Sequence, residues 1–70
     1  MQVEVFKTSV DDRQQATSLA EELRQNLPTS KVNFDLEDCD KILRIEAISI
    51  QPSFIIEILK RRGFYCEVLN

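Results

Sequence analysis

Acidic residues grouped near predicted turns are the first candidates for chemistry in this 70-residue chain. Asp11 and Asp12 precede a helical pattern, and Glu37, Asp38 and Asp40 form a second acidic group. Carboxylate oxygens suit hard cations such as Ca²⁺, which takes about 6–8 of them, often in a dedicated loop. No stretch of this chain resembles such a loop. Metal binding or trafficking through carboxylate ligands is therefore the alternative hypothesis and not the main one.

The basic run Lys60-Arg61-Arg62 lies in the last turn of a predicted helix, where positive charge complements the helix dipole. The chain as a whole carries a formal net charge of −3, which disfavours binding to nucleic acid or to an anionic membrane surface. No apolar run approaches the roughly 20 residues needed to span a bilayer. We therefore expect neither nucleic acid nor a membrane as a partner.

Catalytic chemistry has little support in the sequence. There is no histidine, so Cys39 has no imidazole to activate it as a nucleophile. Cys39 and Cys66 are far apart, and the N-terminus has no signal-peptide pattern. Free, reduced thiols without a secretion signal indicate a cytoplasmic protein. We expect no enzyme activity, no cofactor and no disulfide bond.

The first half of the chain predicts a strand, a helix and a second strand. Alternation over residues 2–7 predicts a strand whose Val3 and Val5 face the core. A helix is predicted from about Asp11 to Asn26, with Ser9 and Asp12 resembling a capping box. Its apolar positions repeat at helical spacing: Ala16, Leu19, Ala20, Leu23 and Leu27. Residues 31–36 then alternate as a second strand.

The second half predicts a strand, a helix and a final strand. Residues 42–47 alternate and form a hairpin with the second strand. Pro52 suits the first turn of a helix that runs to about Arg62, and Gly63 suits the residue just past its end. Residues 64–69 alternate again, with Cys66 directed into the core.

The resulting order, βαββαβ, predicts one domain over residues 1–70 with a ferredoxin-like α+β plait. Right-handed crossovers give an antiparallel sheet in the order 4-1-3-2 with both helices on one face. The predicted core is Val3, Val5, Leu19, Leu23, Leu27, Val32, Phe34, Leu36, Leu43, Ile45, Ile55, Leu59, Phe64 and Val68. The predicted open face of the sheet carries Glu4, Phe6, Ile42, Arg44, Glu46, Tyr65 and Leu69.

Several segments together resemble the heavy-metal-associated domain of copper chaperones and metal-transporting ATPases. Leu19 and Leu23 are similar to the core of that family's first helix, and residues 32–37, Val-Asn-Phe-Asp-Leu-Glu, to its second strand. Gln51-Pro52 and Gly63-Phe64 are similar to its second helix start and its closing strand. The resemblance covers nearly the whole chain and implies the same plait.

The family's metal motif is absent. Its two cysteines fall on Asp12 and Gln15, and its supporting methionine falls on Val10. Cu(I) requires thiolate or thioether ligands, which these residues cannot supply. The resemblance therefore implies the scaffold without the family's metal site.

The sequence thus predicts a small non-catalytic binding module, cytoplasmic and either monomeric or weakly dimeric, with a protein partner. The predicted topology brings Asp11 and Asp12 to the same end of the sheet as the basic run, and one carboxylate is expected to approach it. The first candidate partner surface lies at this end and consists of Asp11, Asp12, Gln15, Lys60, Arg61 and Arg62. The outer strand edges and the open sheet face around Phe6 and Tyr65 are the alternatives.

Overall fold

The computed structural model describes residues 1–37 and 39–69, and it confirms the predicted order of elements. The elements are β1 (Gln2–Thr8), α1 (Arg13–Asn26), β2 (Lys31–Asp35), β3 (Ile42–Ala47), α2 (Pro52–Arg61) and β4 (Cys66–Val68). The strands form one antiparallel sheet in the order β2-β3-β1-β4, which is the predicted order listed from the other edge. The chain is therefore a ferredoxin-like α+β plait.

The first helix begins later than the sequence predicts. Asp12 has extended backbone angles, and its Oδ1 accepts a hydrogen bond of 2.8 Å from the backbone N–H of Gln14. Asp12 is therefore the N-cap, and α1 starts at Arg13 rather than near Asp11. Ser9 is no part of this cap, because its hydroxyl accepts a hydrogen bond from the backbone N–H of Tyr65 instead.

The second helix ends as predicted, at a glycine with left-handed backbone angles. Gly63 has a φ of 86°, and its N–H donates to the carbonyl of Lys60 at 2.9 Å. The N–H of Phe64 donates to the carbonyl of Leu59, also at 2.9 Å. This pair of hydrogen bonds is the Schellman motif, which satisfies the last carbonyls of α2 and turns the chain toward β4.

The core lies between the helices and the sheet. Its fully buried side chains include Leu19 and Leu23 of α1, Leu43 and Ile45 of β3, and residues of α2. The predicted core positions confirmed as buried are Leu19, Leu23, Val32, Leu43, Ile45, Ile55 and Leu59. Those packed against the core but only partly buried are Leu27, Phe34, Leu36, Phe64 and Val68. Cys66 is buried, as predicted.

The orientation of β1 is the main error of the sequence-based prediction. Phe6 is completely buried, whereas Val3 is 44% exposed and Val5 is half-buried outside the core. Register explains this, because Phe6 is paired with Leu43 on one side and with Val68 on the other. Residues paired across neighbouring strands face the same side of a sheet, so Phe6 must join Leu43 under the helices. Phe6 therefore belongs to the core and Val3 to the open face.

The side chain at the start of β1 also faces the core side. Gln2 donates from Nε2 to the carbonyl of Ile50 and accepts from its N–H, both at 3.1 Å. It also donates to Glu4, which the sequence places on the open face. Glu4 alternates with the open-face residues Val3 and Val5, so it shares the inner face with Gln2 and Phe6. The side-chain amide of Gln2 is thus hydrogen-bonded to the backbone of the loop before α2.

Neither described helix combines the length and the apolar character that a membrane crossing would require.

Candidate functional site

The loop end, formed by the connections 9–12, 36–41 and 62–65, is held by local hydrogen bonds. The Thr8 hydroxyl donates to the carbonyl of Lys41 at 2.6 Å and accepts from the N–H of Val10 at 3.2 Å. Ser9 and Tyr65 exchange two hydrogen bonds, one through each backbone N–H. These contacts join described residues of all three connections to one another.

Two of the three predicted basic residues have partners outside the first loop. Nε of Arg62 lies 2.9 Å from Oε1 of Glu22, and its NH2 group donates to the Ser18 hydroxyl at 2.9 Å. Arg61 pairs with Glu57 of its own helix at 3.7 Å. Among the described residues, no ion pair joins Asp11 or Asp12 to this run, contrary to the expected approach of one carboxylate.

The other predicted residues of this surface are exposed. Asp11, Gln15 and Lys60 all face solvent, and Asp12 is exposed but occupied as the N-cap of α1. The charge available to a partner at the loop end is therefore smaller than the sequence suggests. Its role as a partner surface stays a prediction.

The residues at the family's metal positions do not form a site. Val10 is completely buried in the core, whereas Asp12 and Gln15 are exposed. Across residues 1–37 and 39–69, no three histidine, cysteine or acidic side chains are close enough to hold a metal ion. Asp38, which belongs to the carboxylate alternative, lies outside the described residues. The described part of the chain adds no support to that alternative.

The two cysteines are free and differ in environment. Cys39 is exposed on the hairpin connection, and Cys66 is buried in β4. Burial, and to a smaller degree the neighbouring charge of Glu67, raises the pKa of the Cys66 thiol to about 12. The thiolate is the nucleophilic and metal-binding form, so Cys66 is inert near neutral pH.

A groove with a volume of about 240 Å³ lies between α1 and the edge strand β2. It is lined by Arg13, Ala16, Thr17, Ala20, Arg24, Val32, Asn33, Phe34 and Leu36. Side chains alternate between the two faces of a strand, yet three successive β2 residues border the groove. The groove must therefore follow the edge of β2. We call it the α1–β2 groove.

Two arginines stand along the helix side of the α1–β2 groove. Arg13 and Arg24 are both exposed, and neither has an ion pair or side-chain hydrogen bond among the described residues. They are eleven residues apart, with Thr17 and Ala20 at helical spacing between them. The positions thus form one stripe of α1, beside the buried stripe that contains Leu23.

The sequence-based prediction missed this stripe. A basic run such as Lys60-Arg61-Arg62 is contiguous and conspicuous, whereas Arg13 and Arg24 are separated by three helical turns. Their common face could have been read from the spacing of 4, 3 and 4 residues through Thr17 and Ala20. Only the placement of α1 over the β2 edge shows that this face borders a groove.

Comparison of the chain with models of known protein families, with curated proteins and with solved structures finds no match.

Proposed function

We propose that this chain is a small non-catalytic protein-interaction module that binds its partner in the α1–β2 groove. One observation carries the proposal. In the described part of the chain, the groove joins a strand edge that has no neighbouring strand to two guanidinium groups that have no ion-pair or hydrogen-bond partner. An unpaired edge exposes backbone donors and acceptors to which a partner strand can add. Exposed arginine is a strong hydrogen-bond donor to carboxylates, and it is enriched in protein interfaces.

The proposal retains the scaffold of the heavy-metal-associated resemblance and not its metal chemistry. The positions that would hold the family's ligands carry a core valine, a helix cap and an exposed amide. A non-catalytic role agrees with the protonated state of Cys66. Free thiols at Cys39 and Cys66 suit the reducing cytoplasm, where we place the protein, as a monomer or weak dimer.

Site-specific photo-crosslinking in cells tests the proposal. A photoreactive phenylalanine analogue replaces Thr17, which lines the groove, or Gln25, which is exposed on the same helix but does not line it. We expect the Thr17 position to yield a discrete adduct that the Gln25 position does not. The adduct is identified by mass spectrometry, and the purified partner is then titrated against the chain.

Two charge variants complete the test. Thr17→Glu places a carboxylate in the groove, and Gln25→Glu makes the same charge change outside it. Both positions are exposed, so both variants should fold and differ from the parent by no more than about 0.5 kcal/mol in stability. Binding of the purified partner should fall with Thr17→Glu and remain with Gln25→Glu. Equal adducts at both positions, or none at Thr17, would contradict the proposed function.

A further inference from the structure

We infer that the ligand of the α1–β2 groove is an extended acidic segment of a partner protein. The segment carries two acidic residues four positions apart, with an apolar residue midway between them. This inference rests on the proposed function and specifies the chemistry of the partner. Three features of the groove lead to it: the strand edge, the spacing of the arginines and the floor between them.

The strand edge requires an extended ligand. Within residues 1–37 and 39–69, β2 pairs only with β3, so no described strand lies on the other side of Lys31–Asp35. A ligand strand laid along this edge would place alternate side chains toward α1 and the others toward the open face. Side chains two and four positions apart in the ligand would then face the helix together.

The arginines specify the charge and spacing of that ligand. Arg13 and Arg24 are eleven residues apart in one helix, which corresponds to about 16.5 Å along its axis. Residues four apart in a strand are separated by about 13 Å, and long, flexible arginine side chains cover the remaining ~3 Å. Acidic residues at these two ligand positions would each meet one guanidinium group and form a charge-assisted hydrogen bond.

The floor of the groove specifies the residue between the two acids. Ala16 and Ala20 are small and buried, and Phe34 of β2 is half-buried beside them. Ala16 and Ala20 both lie between the two arginines along α1, so the apolar floor is near the midpoint between the two charges. An apolar ligand side chain would cover this floor and remove it from water.

A second copy of the chain fits the groove less well. Antiparallel pairing of two β2 strands by a two-fold axis at Asn33 would match Lys31 with Asp35 across the dimer. The same axis would bring both copies of α1 to one seam, with four guanidinium groups and no carboxylate among the groove residues. Like charges at such close range oppose association. An acidic ligand resolves this repulsion, whereas a second copy creates it.

A peptide titration tests the inference on the full chain. The probe is acetyl-Thr-Glu-Thr-Val-Thr-Glu-Thr-amide, and the control peptide has glutamine in place of both glutamates. Backbone amide shifts in two-dimensional NMR spectra report both the affinity and the location of binding. We expect saturable shifts confined to β2 and to the Arg13–Arg24 side of α1, with at least about tenfold weaker binding of the glutamine peptide.

Single-charge variants identify which arginines bind. Arg13→Gln and Arg24→Gln should each weaken binding of the acidic peptide about fivefold, because each removes one charge-assisted contact. Lys60→Gln removes an exposed positive charge from the last turn of α2 and should change the affinity less than about twofold, since Lys60 is outside the groove. All three positions are exposed, and thermal unfolding checks that each variant remains folded.

Several results would overturn the inference. The inference is wrong if both peptides bind with equal affinity, or if the chemical shift changes centre on the loop end. It is also wrong if Lys60→Gln weakens binding as much as Arg13→Gln or Arg24→Gln does, or if no binding is seen up to about 1 mM peptide. Concentration-dependent dimerisation through β2, seen by sedimentation, would assign the groove to a second copy. If a partner crosslinks at Thr17 but its affinity is unchanged by Arg13→Gln and Arg24→Gln, the acidic ligand is refuted while the proposed function stands. If no partner crosslinks at Thr17, the proposed function itself is refuted.

Discussion

The two flanks of α1 both involve arginine, but they differ in whether the protein neutralises the charge. On the flank toward α2, Ser18 and Glu22 hold the guanidinium group of Arg62 at 2.9 Å. On the flank toward β2, Arg13 and Arg24 have no side-chain partner among the described residues. The first flank joins two helices of the same chain, and the second borders an open groove.

This difference shows why clustered charge is a poor guide to a binding surface. The run Lys60-Arg61-Arg62 is the most basic stretch of the chain, yet two of its three side chains already have internal partners. A partner would have to compete with those contacts, whereas no described residue competes for Arg13 or Arg24. Exposed charge supports a binding role best where the protein's own residues leave it unpaired.

The largest expected effect comes from removing the buried side chain between the two flanks. Leu23 is completely buried, and Leu23→Ala should lower the free energy of unfolding by about 2–5 kcal/mol through lost burial and a residual cavity. Urea unfolding measures the change. The exposed Gln25→Ala on the same helix is the control and should stay within about 0.5 kcal/mol of the parent. A loss similar to that of the control would contradict the observed helix register.

A smaller effect is expected at the start of α1, where both flanks begin. Asp12→Ala removes the side chain that accepts from the Gln14 N–H and should destabilise the protein by about 0.5–2 kcal/mol. Asp12→Asn keeps an oxygen acceptor and should lose much less. Thermal unfolding of the two variants distinguishes capping from surface charge. Equal losses would indicate that the charge of Asp12, rather than its hydrogen bond, stabilises the helix.

The smallest effect concerns the ion pair on the α2 flank. A double-mutant cycle of Arg62→Ala and Glu22→Ala should give a coupling of about 0–1 kcal/mol, because both side chains are about one-third exposed. Arg61 and Glu57 are more exposed and 3.7 Å apart, so their cycle should give less. Unfolding at low and high salt measures both couplings, and salt should weaken them. A larger coupling energy for Arg61 and Glu57 than for Arg62 and Glu22 would contradict this prediction.

Most of the fold follows from local sequence signals. The helical repeat through Leu19 and Leu23 predicts α1, and Gly63 predicts the end of α2. Both signals are local, because helical hydrogen bonds and caps join residues a few positions apart. The order of these elements is enough to predict the plait and its strand order, since few right-handed arrangements of βαββαβ exist.

The candidate site was predictable only in part. The sequence identifies exposed charge at Asp11, Asp12 and the basic run, but not the partners that this charge has in the folded chain. Arg62 meets Glu22 forty positions away, and only helix packing brings the two residues together. The α1–β2 groove likewise exists because a helix and a strand edge lie side by side.

The sequence by itself determined where helices and strands form, because periodicity and caps act within one element. It could not determine which face of β1 is buried, because Val3 and Val5 on one face compete with Phe6 on the other. The tertiary structure decided this by pairing Phe6 between Leu43 and Val68. A one-residue shift in register moves every side chain of a strand to the opposite face, so burial in β1 depends on its neighbours. The packing of α1 beside β2 similarly decided which arginines line the groove.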